Sequence, residues 1–197
     1  MDTKYIKKGV EILNYTKNLI KEPDWTLEAD EEGVLMESKE FPEKSYVPCY
    51  RLTCTCTKSI DELFKYVWDV DEKSLQKDDP DVLKWDIIQS GRSWRIATMI
   101  NDMPWPLSPR EVVIMQIIFR DAEGNWLVSY SIPHEKIPIQ DEYVRATVHI
   151  SVYGFITETD NLSRIWRVSM INPAGDIPAF IVKLFADKQM KPLIQWK

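Results

Sequence analysis

Two histidines and three cysteines in 197 residues leave this sequence short of the side chains that most metal binding and nucleophilic catalysis use. His134 stands beside Pro133 in a turn-like stretch and His149 within a strand-like run. Neither has a second His or Cys a few residues away on the same face, so the spacing of a metal-ligand set is missing. Cys54 and Cys56 are two apart in a strand, which puts both on one face in a geometry that a disulfide does not easily meet; they read as buried apolar packing. There is no glycine-rich phosphate loop and no Gly-x-Ser-x-Gly. The expectation is a protein with no catalytic residues, no metal and no cofactor.

A surplus of positive charge is missing too. The chain carries 31 acidic against 25 basic residues, a formal charge of −6. Without a long basic run it offers no footprint for a phosphate backbone, so nucleic acid is not expected as a partner. No window approaches the roughly 20 apolar residues that span a bilayer. Met1 to Lys21 mixes charges with spaced apolar residues, unlike a signal or transit peptide. An odd number of cysteines without an export signal points to a reducing compartment, and the expected location is cytoplasmic. The length suits one domain over 1–197.

Aromatic side chains are present in number, with eight tryptophans and eight tyrosines. Each brings a large apolar surface and a polar handle, which suits either a well-filled core or a lined cavity.

Apolar residues at three- and four-residue steps from Thr3 to Ile20 predict an amphipathic helix that ends near Pro23. Trp25 to Glu28, Val34 to Ser38 and Cys49 to Thr57 read as strands. Ser59 with Glu62 forms a capping box for a helix to about Asp69, and a short helix follows over Glu72 to Lys77. Six strand-like runs come next: Val82 to Gln89, Ser93 to Ile100, Glu111 to Arg120, Trp126 to Ile132, Tyr143 to Thr157 and Leu162 to Ile171. Asp176 as an N-cap, with Pro178 in the first turn, predicts a last amphipathic helix carrying Ile177, Phe180, Ile181, Leu184 and Phe185 at helical spacing. Pro192 is expected to kink its end. Strands joined by short turns imply an α+β fold with an antiparallel sheet of about nine strands, which would curl round whatever covers its inner face.

Three stretches, in order, carry a resemblance. They are Met103-Pro104-Trp105-Pro106-Leu107-Ser108-Pro109-Arg110-Glu111, Tyr143-Val144-Arg145-Ala146, and Asn172-Pro173-Ala174-Gly175-Asp176-Ile177-Pro178. Together they resemble the START family, the steroidogenic acute regulatory protein-related lipid transfer domains, and the third is most like the phosphatidylcholine-transfer branch. The resemblance implies a helix-grip fold, a curved sheet around the C-terminal helix with an apolar tunnel between them. It also implies a lid formed with that helix by Met103, Pro104, Trp105, Pro106 and Leu107. The proline-stiffened loop would hold Trp105 either as a plug on the core or as an anchor at a membrane interface.

The family pattern turns Arg95, Ala97 and Met99 toward the tunnel, with Val112, Ile114, Gln116 and Ile118 on the next strand. Phe180, Ile181 and Leu184 would face it from the helix. Ala97 and Gln116 stand where some members hold a buried acid-base pair, and Val82 stands where phosphatidylcholine carriers place an arginine before a tryptophan. Arg145 becomes the leading candidate for an inward charge, either paired with a carboxylate or waiting for a ligand head group, because an unpaired buried guanidinium costs several kcal/mol; Arg95 and Arg167 rank behind it. The implied function is binding a hydrophobic lipid, such as a phospholipid or sterol, and transferring it between membranes or presenting it. The implied partners are that lipid and a transient membrane surface, and the implied state is a monomer. Two other readings stay open: a ligand sensor that signals through a partner protein, and a helix-grip enzyme.

Overall fold

The computed structural model describes residues 2–197. Helix α1 (Thr3–Leu19) starts where the Asp2 carboxylate accepts the Lys4 amide, 3.0 Å away, and buries Ile12, Leu13 and Leu19 along one stripe. Gly9 lies in that stripe. A Cβ there would come within 3.0 Å of the Ile117 side chain and 3.1 Å of the Phe119 ring, so the missing side chain is what lets the helix lie close on the sheet.

The sheet has ten strands: β1 (Thr26–Glu31), β2 (Val34–Lys39), β3 (Cys49–Cys56), β4 (Val82–Ser90), β5 (Trp94–Asn101), β6 (Arg110–Arg120), β7 (Asn125–Ser131), β8 (Val144–Arg145), β9 (Thr147–Thr159) and β10 (Leu162–Asn172). Nine run in the antiparallel order β1-β2-β3-β10-β9-β7-β6-β5-β4, and the short β8 lies parallel to β6. Register shifts in the β1/β2, β4/β5 and β9/β10 pairs mark bulges, which bend a sheet.

Alternation gives each strand one side chain per face in turn. On the outer face Val113, Met115, Ile117, Val128, Tyr130, Ile150 and Val152 form a core with α1. On the inner face Met36, Leu52, Cys54, Leu127, Phe155 and Ile165 pack with Leu63, Phe64 and Val67 of α2 (Ile60–Trp68). The expected capping box is there: the Ser59 hydroxyl accepts the Glu62 amide, and the Glu62 carboxylate accepts the Ser59 amide at 3.0 Å. Helix α3 (Glu72–Asp78) precedes β4.

The last helix differs from expectation in two ways. It begins at Ala179 with Pro178 as N-cap, not at Asp176. Ala174 and Gly175 are in left-handed conformations, and the residue before a proline resists the helical region, so the chain turns helical only after Pro178. It also comes in two pieces, α4 (Ala179–Lys188) and α5 (Met190–Trp196). The break has the physical cause expected of Pro192, which gives no amide to the Lys188 carbonyl and crowds it. Pro192 itself is accommodated in the first turn of α5, where amides lack helical partners anyway. Met190, Leu193 and Trp196 of α5, with Ala186 of α4, join the inner-face core.

Candidate functional site

Toward β4–β6 the inner face becomes a separate apolar wall. Ala97, Val112, Ile114, Ala146 and Val148 are buried there, with Trp85, Met99 and Ile171 partly open beside them. Ile87, paired with Ala97 on the edge strand, is 43% exposed. The strand register puts Arg95, Ala97 and Met99 opposite Gln116, Ile114 and Val112, so these six share one face.

Arg95 is the polar pole of that face. Its Nε donates to Gln116 Oε1 at 2.6 Å, while Nη1 and Nη2 donate to the carbonyls of Trp68 (2.8 Å) and Val67 (3.2 Å) at the end of α2. The guanidinium lies 4.4 Å from the Trp68 ring centre and 5.1 Å from that of Trp85. The C-terminal carbonyls and dipole of α2 supply negative charge in direct contact, and the Asp69 carboxylate at the same helix end adds to it from farther off. Burial still lowers its pKa to about 10, so it is charged at neutral pH. Gln116 Nε2 continues the chain of bonds to Ser129 Oγ at 2.9 Å. A second buried cation, Arg167, faces the same side from β10, 4.5 Å from the Tyr153 ring.

Arg145 is held elsewhere. It pairs with Glu111 (2.7 Å) and donates to the carbonyls of Ile137 (3.2 Å) and Pro138 (3.1 Å). Glu111 points away from the face that carries Val112, so Arg145 does not join the Arg95 face, and of the two fates open to it the structure shows the carboxylate pair. The cause is a bulge at His149. Met170 pairs with Ile150 but Ile171 with Val148, which turns Val148 and Ala146 inward and Arg145 outward.

Two segments are fastened at the ends of this wall, α4 before β4 and the proline-rich loop before β6. Ile181 is buried, whereas Phe180 is 72% and Leu184 is 44% exposed, so of the three expected helix contacts only Ile181 is covered by protein. Lys188 ties the end of α4 to Asp81 and Asp79 before β4, and the neighbouring Gln189 accepts a hydrogen bond from Ser169 of β10 at 2.6 Å. In the loop, Met103 is buried, Pro104 and Leu107 are half-buried and Pro106 is exposed. Trp105 is 93% exposed, which rules out the plug arrangement.

The buried Arg110 joins the two lid segments. It donates to the carbonyls of Ser108 (2.6 Å), Pro173 (3.2 Å) and Ala174 (3.1 Å). Its pKa is lowered by burial. A recess of about 280 Å³ opens along the other flank of α4, between Val182 and Ala186 on the helix and Met36 and Tyr50 on the sheet.

The family resemblance turned these β5 and β6 residues inward, but nothing in the sequence pointed to Trp68, Trp85 and Ser129 around Arg95. Nothing in the spacing links the end of α2 to β5; the antiparallel pairing of β4 through β7 brings Trp85 and Ser129 to Arg95, and the packing of α2 on the inner face brings Trp68. Among the described residues no group of three or more His, Cys, Asp or Glu could hold a metal ion, and no helix is long and apolar enough to cross a membrane.

Comparison with curated proteins finds no match. Among solved structures, the chain superposes on human StAR-related lipid transfer protein 5 with a TM-score of 0.83 at 15% identity, covering 97% of this chain and 93% of that one. Human STARD10 gives 0.79 at 18% identity, with 93% and 77% covered. The lipid transfer and protein localization domain of human StarD13 gives 0.71 at 18% identity, with 93% and 92% covered. These likenesses establish the shared fold. The START domain model matches residues 10–193, from α1 through the sheet to α5, and by that match the chain belongs to the START domain family.

Proposed function

We propose that the protein binds one hydrophobic lipid against the inner wall, under α4 and the proline-rich loop, and carries it between membranes or presents it. The observation that carries this reading is the wall itself: a continuous apolar face around Ala97, Val112 and Ile114, partly open at Trp85, Met99 and Ile87, with the Arg95 guanidinium at one end. The relatives named as lipid transfer proteins support the same reading.

In this reading Arg95, Ala97, Met99, Val112, Ile114, Gln116 and Ile181 contact the ligand. Burying roughly 400 Å² of lipid at about 25 cal/mol per Å² supplies on the order of 10 kcal/mol before the losses of association. Polar contacts are therefore left to set specificity. Arg95 has N–H groups beyond the three bonds it makes, and with Gln116 it offers donors to a phosphate, carbonyl or hydroxyl head group. Arg145, committed to Glu111, supports the wall from behind.

Loading requires the lid to lift. That breaks the Lys188 ion pairs and moves the two segments that Arg110 joins. Trp105, Phe180 and Leu184 present apolar surface to solvent on those same segments and meet the membrane interface during a brief visit. The protein works as a monomer in the cytoplasm, in keeping with three free, buried cysteines.

Mass spectrometry of an organic extract of the native protein tests the first claim, and lipid movement between donor and acceptor vesicles tests the second. Expected are a bound lipid at about one per chain and faster transfer than without protein. A protein that yields no lipid and extracts none from vesicles would overturn the reading.

A further inference from the structure

On the face of the sheet turned away from the lipid wall, a recess of about 300 Å³ opens between α1 and the start of β9. Its size is at the lower end of the roughly 300–1,000 Å³ of small-molecule pockets. Buried Ile12, Ile150 and Met170, all part of the outer-face core, give it a firm apolar floor.

Its rim is cationic in a chain of net charge −6. Lys8 and Lys44 both line it, and among the described residues neither ammonium has a carboxylate within 4.0 Å. Each is steadied by an aromatic face instead: Lys8 lies 5.0 Å from the Tyr130 ring centre, and Lys44 lies 4.7 Å from that of Tyr15. Their N–H donors are therefore held in place and unused.

His149 sits in the same lining, at the β9 bulge, and its Nε2 is buried without a hydrogen-bond partner. Buried polar atoms are ordinarily satisfied, so an orphan at the edge of a recess marks a place for a ligand atom. Bulges also re-aim side chains at binding sites. Here the ladder is mended by Ser131, whose hydroxyl accepts the Val148 amide at 2.8 Å, which leaves the His149 ring out of the repair.

We propose that this recess is a second binding site, for a small amphipathic monoanion: a carboxylate or sulfonate on an apolar body. Lys8 and Lys44 take the anionic group, the His149 ring turns its unpartnered Nε2 toward the recess to meet the ligand, and the apolar body rests on Ile12, Ile150 and Met170. Glu11 on the same rim leaves the charged lining at one net positive unit, which favours one negative charge over two. The site lies across the sheet from Arg95 and does not depend on the lipid reading.

Titration of the full chain with 2-naphthoate, followed by amide chemical shifts in NMR, tests it, with neutral 2-naphthamide as the control. Expected are saturable shifts confined to α1, Lys44 and 147–150, and at least tenfold weaker binding of the amide. The K8A/K44A variant should bind naphthoate at least tenfold more weakly, K8R/K44R should retain it, and both should extract lipid as the parent does. No saturation at several millimolar, equal affinity for the amide, undiminished affinity in K8A/K44A, or shifts centred on Ala97 and Ile114 would each overturn the proposal.

Discussion

Arg95 and Arg145 show how one residue type meets two fates in the same sheet. Arg145 is paired, and Glu111 is the more buried partner, with a side chain only 5% exposed. Removing the arginine strands that carboxylate, so Arg145→Ala is expected to cost about 3 kcal/mol in urea unfolding, while the Arg145→Met/Glu111→Leu pair costs far less. Lipid extraction by the folded double variant should match the parent; a specific loss there would return Arg145 to the ligand site. Arg95→Met removes the donor for three acceptors at once. It is expected to cost about 2–3 kcal/mol and to lower extraction of lipids with anionic or hydrogen-bonding head groups. Extraction unchanged in yield and head-group selectivity would reduce Arg95 to a clamp for α2. Alternation on β5 made the shared face of Arg95, Ala97 and Met99 legible in the sequence, and the family resemblance supplied its inward direction. Reading 143–157 as one unbroken strand hid the His149 bulge, and with it the outward direction of Arg145.

Among the elements, the lid is the one whose chemistry was written most openly and whose geometry was not. Three prolines and a tryptophan marked the loop, and helical spacing marked α4, yet neither pattern shows which apolar residues a neighbour covers. The structure leaves Trp105 and Phe180 facing water. Trp105→Ala should therefore leave unfolding within about 0.5 kcal/mol of the parent and still slow vesicle-to-vesicle transfer severalfold; unchanged transfer would remove the loop from membrane contact. Lys188 is the fastening of the same lid. Lys188→Ala is expected to reduce hydrogen-exchange protection across 179–188 while β9 and β10 keep theirs, because only the helix end loses its partners. Equal protection in parent and variant would show that packing of Ile181 and Ala186 holds α4 without the ion pairs.

At the scale of the whole molecule, the order of strands was the part that sequence could not supply. Local turns reveal the β1–β3 and β4–β7 meanders, but β10 settling beside β3 is a long-range pairing that no spacing encodes. The folded sheet buries ionisable groups on both of its faces, Cys49 and Tyr130 in the outer core and Cys54 and Tyr50 in the inner one, and this gives the fold a weakness to base. Burial pushes Cys49 from 9.0 to about 12 and Cys54 to about 11, and raises Tyr50 and Tyr130 from 10.0 to about 12. All four are neutral acids that the fold keeps protonated longer than the unfolded chain does. At neutral pH both states hold these protons and stability is unaffected. Above about pH 9 the unfolded chain releases them first, so it binds fewer protons than the folded one and unfolding becomes easier as pH rises toward 12. Cys49, fully buried, sets the steepest part, up to about 1.4 kcal/mol per pH unit. Arg95 acts in the opposite sense, since its lowered pKa lets the fold shed a costly charge above about 10, but it is one group against four. The urea midpoint is thus expected to be lower at about pH 10.5 than at pH 8, and Cys49→Val should shrink the drop without abolishing it. A midpoint equal at both pH values would mean that these thiols and phenols ionise as readily inside the fold as outside it.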